Sequence, residues 1–191
     1  RRPPRSTLFP YTTPSDLKIH DKSFEASIME ADILQRVKEI AAEISKDCKY
    51  KNPLFLAVLN GSFMFASDLM KEIAIDCEIQ FIKMKSYTGM ESSNKVEMLI
   101  GPTLEVSGRT VIILEDIVDT GNTIKELVKQ LHLVTPNEIR ICSLLLKPDK
   151  YDGEIPVDYV GFEIPDDFVI GYGLDYDGLG RNLRQIYTVT D

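Results

Sequence analysis

The stretch Val111–Thr123 reads VIILEDIVDTGNT. An apolar run, Val111 to Leu114, leads straight into Glu115 and Asp116; Ile117 and Val118 follow, then Asp119 and the turn Thr120-Gly121-Asn122-Thr123. A short, uninterrupted apolar run is the pattern of a strand covered on both faces. Beyond the turn, Ile124, Leu127, Val128 and Leu131 recur at helical spacing, so the stretch predicts strand, turn and helix in succession. Carboxylates at the end of a buried strand are costly to desolvate. The stretch therefore fixes a βα unit and marks its turn as the place to look for a ligand.

The same alternation extends outward. Ile33, Leu34, Val37, Ile40, Ala41 and Ile44 have helical spacing behind Ser27-Ile28-Met29-Glu30, which matches the S-x-x-E capping box. Leu54–Leu59 (LFLAVL) predicts a second doubly buried strand, and Asn60-Gly61-Ser62 opens a helix with Ala66, Leu69, Met70 and Ile73 on its buried stripe. Cys77–Lys85 and Val96–Ile100 predict strands on either side of a polar loop, Ser86–Asn94. Thr123-Ile124-Lys125-Glu126 forms a second capping box, and Ile139–Leu146 a further strand. From Pro148 onward, Gly, Pro, Asp and Tyr predict long turns with short strands at Val157–Gly161 and Phe168–Gly171. Strands alternating with helices imply an α/β fold with a mainly parallel central sheet flanked by helices, which places ligands outside the carboxyl ends of the strands.

The 191 residues suffice for one domain. Residues 1–22, beginning with the Pro-rich basic segment RRPPRSTLFPYTTPSD, read as a loose arm or an expression remnant with no element assigned, and residues 23–191 as the single domain. A net charge of −8 argues against a nucleic-acid partner, which calls for a basic face. No apolar run is long enough to cross a membrane and no secretory segment is visible. Cys48, Cys77 and Cys142 are odd in number and far apart, which points to reduced thiols and a cytoplasmic location. With only His20 and His132 available, a metal here is expected to be hard and oxygen-bound, with magnesium (Mg2+) favoured over zinc.

At the turn itself, the free N–H groups of a helix N-terminus attract an anion, Gly121 permits close approach of the backbone, and Thr120 and Thr123 add hydroxyl donors. The lysine-containing pattern of a Walker A loop is absent. On these residues alone two readings stand: a phosphate cradle, and a capped helix that holds nothing. Glu115 and Asp116 cannot profitably touch a phosphate, but they can accept hydrogen bonds from sugar hydroxyls or meet magnesium. Asp119 is near enough to the turn to act as a general base. This set suits a sugar phosphate.

VIILEDIVDTGNT resembles the 5-phosphoribosyl-1-pyrophosphate (PRPP) motif of type I phosphoribosyltransferases. KSYTG (Lys85–Gly89), LLLKP (Leu144–Pro148), VGFEIPDDFVIGYGLDY (Val160–Tyr176) and RNL (Arg181–Leu183) are similar, in order and spacing, to segments of the hypoxanthine-guanine members. The resemblance covers the chain from the first helix to the C-terminal end. It implies the type I phosphoribosyltransferase fold, with a small hood built from the terminal segments. It also implies an enzyme of purine salvage that converts PRPP and hypoxanthine or guanine into IMP or GMP and pyrophosphate, with Mg2+ as cofactor and a homodimer or homotetramer as its assembly.

Roles follow from the resemblance, position by position. Thr120, Gly121, Asn122 and Thr123 would hold the 5-phosphate, Glu115 and Asp116 the ribose hydroxyls, and Asp119 would take the proton from purine N7. Lys147 would donate to the purine O6, Phe168 would stack on the ring with Ile117 on its other side, and the backbone of Val169 and Asp175 would accept from the guanine 2-amino group. Magnesium would meet Asp175 beside the pyrophosphate, and Glu115 and Asp116 beside the ribose. Asn60, Gly61 and Arg181 would bind pyrophosphate, and Ser86 and Tyr87 would belong to a closing lid. The family implies a cis peptide bond at Leu59–Asn60. The chain departs from the family at Asn60, where many members carry Lys, and at Gly180, where an aromatic often stands. A PRPP-sensing regulator and a transferase for xanthine are the alternatives the resemblance leaves open; the intact carboxylates and acidic charge weigh against the first.

Overall fold

The computed structural model describes residues 16–86, 96–100 and 105–190. In chain order the elements are β1 (Asp16–Ile19), β2 (Lys22–Ile28), α1 (Glu30–Asp47), β3 (Leu54–Leu59), α2 (Phe63–Glu72), β4 (Glu78–Ser86), β5 (Val96–Ile100), β6 (Thr110–Val118), α3 (Asn122–His132), β7 (Glu138–Leu146), β8 (Tyr159–Glu163), β9 (Val169–Ile170) and β10 (Ile186–Val189).

Six strands form the main sheet in the order β5-β4-β3-β6-β7-β8. All neighbours run parallel except β5, an antiparallel edge on β4. The two apolar runs, β3 and β6, pair at its centre. Their alternate residues serve opposite faces: Phe55, Ala57, Ile112 and Leu114 pack with Ile33, Val37, Ile40, Phe65 and Leu69 of α1 and α2. Leu54, Leu56, Val111 and Ile113 pack with Ile124, Leu127 and Leu131 of α3. Helices on both faces explain why these strands carry no polar alternation. The expected α/β sheet is present.

A smaller antiparallel sheet, ordered β1-β2-β10-β9, forms the hood. It joins the two ends of the chain: Phe24 pairs with Val189 and Tyr187 with Ile170, and Phe24, Ile170 and Tyr187 are its buried centre. β1 falls within residues 1–22, expected as a loose arm. That boundary is corrected, because residues 16–19 pair along β2 and complete the hood; residues 1–15 lie outside the described residues.

Both expected capping boxes are also corrected. Ser27 lies in β2, where its hydroxyl donates to the Ile186 carbonyl at 3.3 Å, and α1 starts after Met29 without a side-chain cap. Tertiary pairing with β10 claims the serine that local sequence offered to the helix. α3 starts at Asn122 behind Gly121, whose φ of 77° makes the turn, so Thr123 is already helical and caps nothing.

Candidate active site

The carboxyl ends of β3 and β6, the first turn of α3 and the hood segment 175–181 surround a cleft of about 400 Å³. Asn60, Gly61, Glu115, Asp116, Ile117, Asp119, Thr120, Gly121, Asn122, Thr123, Asp175 and Arg181, all anticipated from sequence, line it. Leu59, named from the resemblance for its bond to Asn60, lines it too; Val58, Met84, Val118 and Ile124 complete the lining and were not anticipated. They are apolar positions whose patterns announced only core.

The strand alternation of β6 reverses where the acids begin. Ile112 and Leu114 pack toward α1 and α2 and Val111 and Ile113 toward α3, yet Ile117 packs with the first group and Val118 with the second. Glu115 and Asp116 occupy the reversal. Glu115 is buried and its Oε1 accepts no hydrogen bond. Burial, reinforced by the negative charge of Asp116, pushes its acid well above the ordinary carboxylate range. Asp116 is pushed up to about 6, chiefly by burial, with Asp175 adding to the rise; the N–H of Ile117, which donates to Asp116 Oδ1 at 3.0 Å, and the positive charge of Arg181 work against it. An unsatisfied buried carboxylate beside an acid whose proton burial retains suits sugar-hydroxyl donors or a cation.

Gly61 makes this placement possible. A Cβ on residue 61 would lie 1.4 Å from Asp116 Oδ2, so any side chain there displaces the carboxylate. The peptide bond before it, Leu59–Asn60, is cis, as the family resemblance implies. Behind it Ser62 is buried and donates to the Val58 carbonyl at 2.6 Å.

On the α3 side, Thr120, Asn122 and Thr123 are exposed, and no side chain caps the helix. Its first N–H groups are thus left to an external acceptor. Gly121 is required twice: by its positive φ, and because a Cβ would stand 2.3 Å from the Tyr151 ring. Asp119 is half-buried; Lys147 Nζ lies 3.5 Å from its Oδ2 and Lys150 Nζ 3.5 Å from its Oδ1. Lys147 is buried at 6% exposure, which excludes the ordinary solvated lysine at a strand end. Lys150, and Asp166 at 3.1 Å from Lys147 Nζ, were missed from sequence. Their only signal was a Lys three positions after Lys147 and an Asp in the turn before Phe168.

On the hood side, Asp175 and Arg181 are tied together. Arg181 Nη2 lies 2.5 Å from Asp175 Oδ1, and Arg181 Nη1 donates to the Gly173 carbonyl at 2.7 Å. The other Asp175 oxygen accepts the Gly178 N–H at 2.7 Å. Lys147, Phe168 and Val169 are not in the cleft lining; Lys147 lies behind Asp119, which does line it. Phe168 is exposed at the turn before β9 with its ring edge-on to Tyr176, 5.6 Å between centroids, and Val169 is buried in β9. Gly180 has a φ of 98°, a backbone that disfavours the aromatic the resemblance leads one to expect there. Ser86 ends β4, and Tyr87 lies outside the described residues.

No three Asp, Glu, His or Cys side chains form a metal cage among the described residues. Glu115, Asp116 and Asp175 nevertheless face one cleft. Magnesium is commonly held by one or two carboxylates, with waters and substrate phosphates supplying the rest, and the unsatisfied Glu115 oxygen suits that donor set.

A family model described as a phosphoribosyl transferase domain matches residues 27–177. Hypoxanthine phosphoribosyltransferase of Haemophilus influenzae is 41% identical over 163 residues, covering 83% of this chain and 91% of that protein. Hypoxanthine-guanine phosphoribosyltransferase of Aquifex aeolicus is 35% identical over 176 residues, 91% of this chain and 99% of its own. Among solved structures, a Staphylococcus aureus hypoxanthine phosphoribosyltransferase superposes with a TM-score of 0.82 at 39% identity, over 87% of this chain and 91% of that one. A mutant of the Trypanosoma cruzi enzyme, in a complex described as ternary with substrates, gives 0.80 at 38% identity, over 86% and 94%. The chain belongs to the type I phosphoribosyltransferase family, among its hypoxanthine-guanine members.

Proposed function

We propose that this enzyme transfers the 5-phosphoribosyl group of PRPP to hypoxanthine or guanine, giving IMP or GMP and pyrophosphate. The observation that carries this reading is the convergence, at one cleft, of the buried Glu115 and half-buried Asp116, an uncapped helix N-terminus and an aspartate within 3.5 Å of a buried lysine.

Purine N9 attacks C1 of the ribose while the bond from C1 to the pyrophosphate oxygen breaks, its electron pair leaving with pyrophosphate. The ring becomes positively charged as it attacks, so the proton on N7 grows acidic and passes to Asp119. That carboxylate needs no unusual basicity for the step. The turn Thr120–Thr123 holds the 5-phosphate through N–H and hydroxyl donors. Glu115 and Asp116 accept from the ribose hydroxyls and fix C1 in line between base and leaving group. Arg181 offers its fork to pyrophosphate, with Asn60 and Gly61 at the other side. Magnesium, where bound, would be held by Asp175 near the pyrophosphate and by Glu115 and Asp116 near the ribose, and supplies charge neutralisation for the leaving group.

Lys147 selects the base. Its ammonium can only donate, and O6 of hypoxanthine or guanine accepts, whereas the 6-amino group of adenine presents another donor. Phe168 and Ile117 cover the purine faces, and the backbone of Val169 and Asp175 accepts from the guanine 2-amino group.

No described helix is long and apolar enough to cross a membrane. Its three cysteines are free, two of them buried, which supports a reducing, cytoplasmic setting. The working assembly is a homodimer or homotetramer.

Pyrophosphate release from purified protein tests the reaction. It should require PRPP, magnesium and either hypoxanthine or guanine together, and stop when any one is withheld. Release without a purine base, or none with all three, would contradict the proposal.

A further inference from the structure

Lys147 and Asp119 belong to a larger ion cluster whose other half has no role in the reaction above. Lys147 follows β7, and its N–H donates to the Val118 carbonyl at 3.0 Å, which seats it beside Asp119. Its Nζ lies 3.1 Å from Asp166 Oδ1 but 3.5 Å from Asp119 Oδ2. Lys150 is brought back by a turn in which its N–H donates to the Lys147 carbonyl at 3.1 Å. Its Nζ is 2.7 Å from the same Asp166 oxygen and 3.5 Å from Asp119 Oδ1. Both ammonium groups thus make their shorter contact with Asp166, and Asp119 Oδ1 accepts no hydrogen bond.

This division has a chemical consequence. An aspartate that is to accept a proton must not have its oxygens saturated by ammonium donors, and a lysine that is to meet a carbonyl must not be folded onto that aspartate. Without the Asp166 carboxylate, both ammonium groups would be left with Asp119 as their carboxylate partner in this cluster. Asp166 sits in the turn between β8 and β9, two residues before Phe168, so the same turn that would present the stacking ring also carries the counter-ion.

We infer that Asp166 is a positioning residue for the purine subsite: it holds the Lys147 ammonium for the 6-oxo group and draws Lys147 and Lys150 off Asp119. The inference rests on the proposed roles of Asp119 and Lys147 toward the purine. Lys150 is the second cation that makes Asp166 necessary.

Asp166 is 46% exposed, so Asp166→Asn leaves the core untouched. In steady-state kinetics with Mg2+, Asp166→Asn should raise KM for hypoxanthine roughly tenfold, as expected for the loss of one charge-assisted hydrogen bond. KM for PRPP should stay within about twofold, and kcat should fall as both lysines settle on Asp119. Asp166→Glu should restore most of the hypoxanthine KM. Adding Lys150→Gln to Asp166→Asn should recover part of the lost kcat, because one of the two competing ammonium groups is gone. An unchanged hypoxanthine KM in Asp166→Asn, equal rises for both substrates, or no recovery in the double variant overturns the inference. Lys147→Ala run alongside separates the two levels. If it raises the hypoxanthine KM while Asp166→Asn does not, the role of Asp166 alone is wrong; if Lys147→Ala is also silent, the purine-site reading fails with it.

Discussion

The main sheet takes its strands from successive βα units, whereas the hood takes its strands from opposite ends of the chain. β3 and β4 are linked through α2, and β6 and β7 through α3. In the hood, Ala26 pairs with Tyr187 across nearly the whole sequence. The difference extends to chemistry. The main sheet supplies the acids and the phosphate turn from one continuous stretch, while Asp175 and Arg181 reach the same cleft from the hood side. On the proposed roles, the PRPP end is therefore local in sequence and framed by a buried strand, and the base and pyrophosphate contacts would depend on how the hood is seated. Gly173 makes that seating explicit: a Cβ there would stand 1.9 Å from the Gly61 carbonyl, so hood and cleft wall meet backbone to backbone.

The largest effect expected is on the main-sheet side. Asp119→Asn should lower turnover by about 10²–10⁴-fold, the range for loss of a general base. PRPP affinity, measured by calorimetry, should change only a few-fold. Unchanged turnover would remove Asp119 from the proton transfer. Next is Gly61→Ala, whose new methyl group occupies the space of the Asp116 carboxylate. PRPP affinity should weaken roughly 10–100-fold while the circular-dichroism spectrum stays that of the parent; full PRPP affinity would show that the position of Asp116 does not matter. Lys147→Ala tests the purine side, with a hypoxanthine KM raised about tenfold and a smaller change for PRPP. A rise shared equally by both substrates would erase the division between the two ends.

The smallest effect concerns stability and runs opposite to activity. The Asp116 acid, ordinarily near 3.8, is raised to about 6 in the fold. The native state therefore binds its proton more tightly than the unfolded chain does. The stability this contributes is complete below the unfolded value and is lost as pH rises through the folded one. At about pH 8 the carboxylate is a burden, so Asp116→Asn should stabilise the protein by on the order of 1–2 kcal/mol while weakening PRPP binding. The gain should vanish by about pH 4. Urea unfolding at the two pH values checks the sign, and a variant less stable than the parent at the higher pH would refute the assignment.

What could be seen in the sequence follows the same division. Leu54–Leu59 and Val111–Leu114 are apolar without interruption because helices cover both faces of the sheet, and that physical cause leaves a direct trace. Glu115, Asp116, Asp119 and the turn through Thr123 lie within one stretch, so their proximity needs no tertiary information. Asp175 and Arg181 do need it, and their place came through the family resemblance. The pairing of β1 and β2 with β10 leaves no local mark; the same residues read as an arm and, at Ser27, as a helix cap. The alternation reversal at Glu115 and Asp116 is equally silent, since acids at a strand end carry no information about which face they take. Asp166 and Lys150 are charged residues in polar turns, where such residues are ordinary, and only their distances to Lys147 and Asp119 set them apart.

The comparison of bases tests the account most directly. With saturating PRPP and Mg2+, kcat/KM is to be measured for hypoxanthine, guanine and adenine. If the buried Lys147 ammonium meets purine position 6 as proposed, both oxopurines are used and adenine is rejected by about 10⁴-fold or more, as sites built on one hydrogen-bond sense reject the reverse. Adenine turned over within about tenfold of hypoxanthine would contradict the placement of Lys147, and with it the reading of this cleft as a 6-oxopurine site.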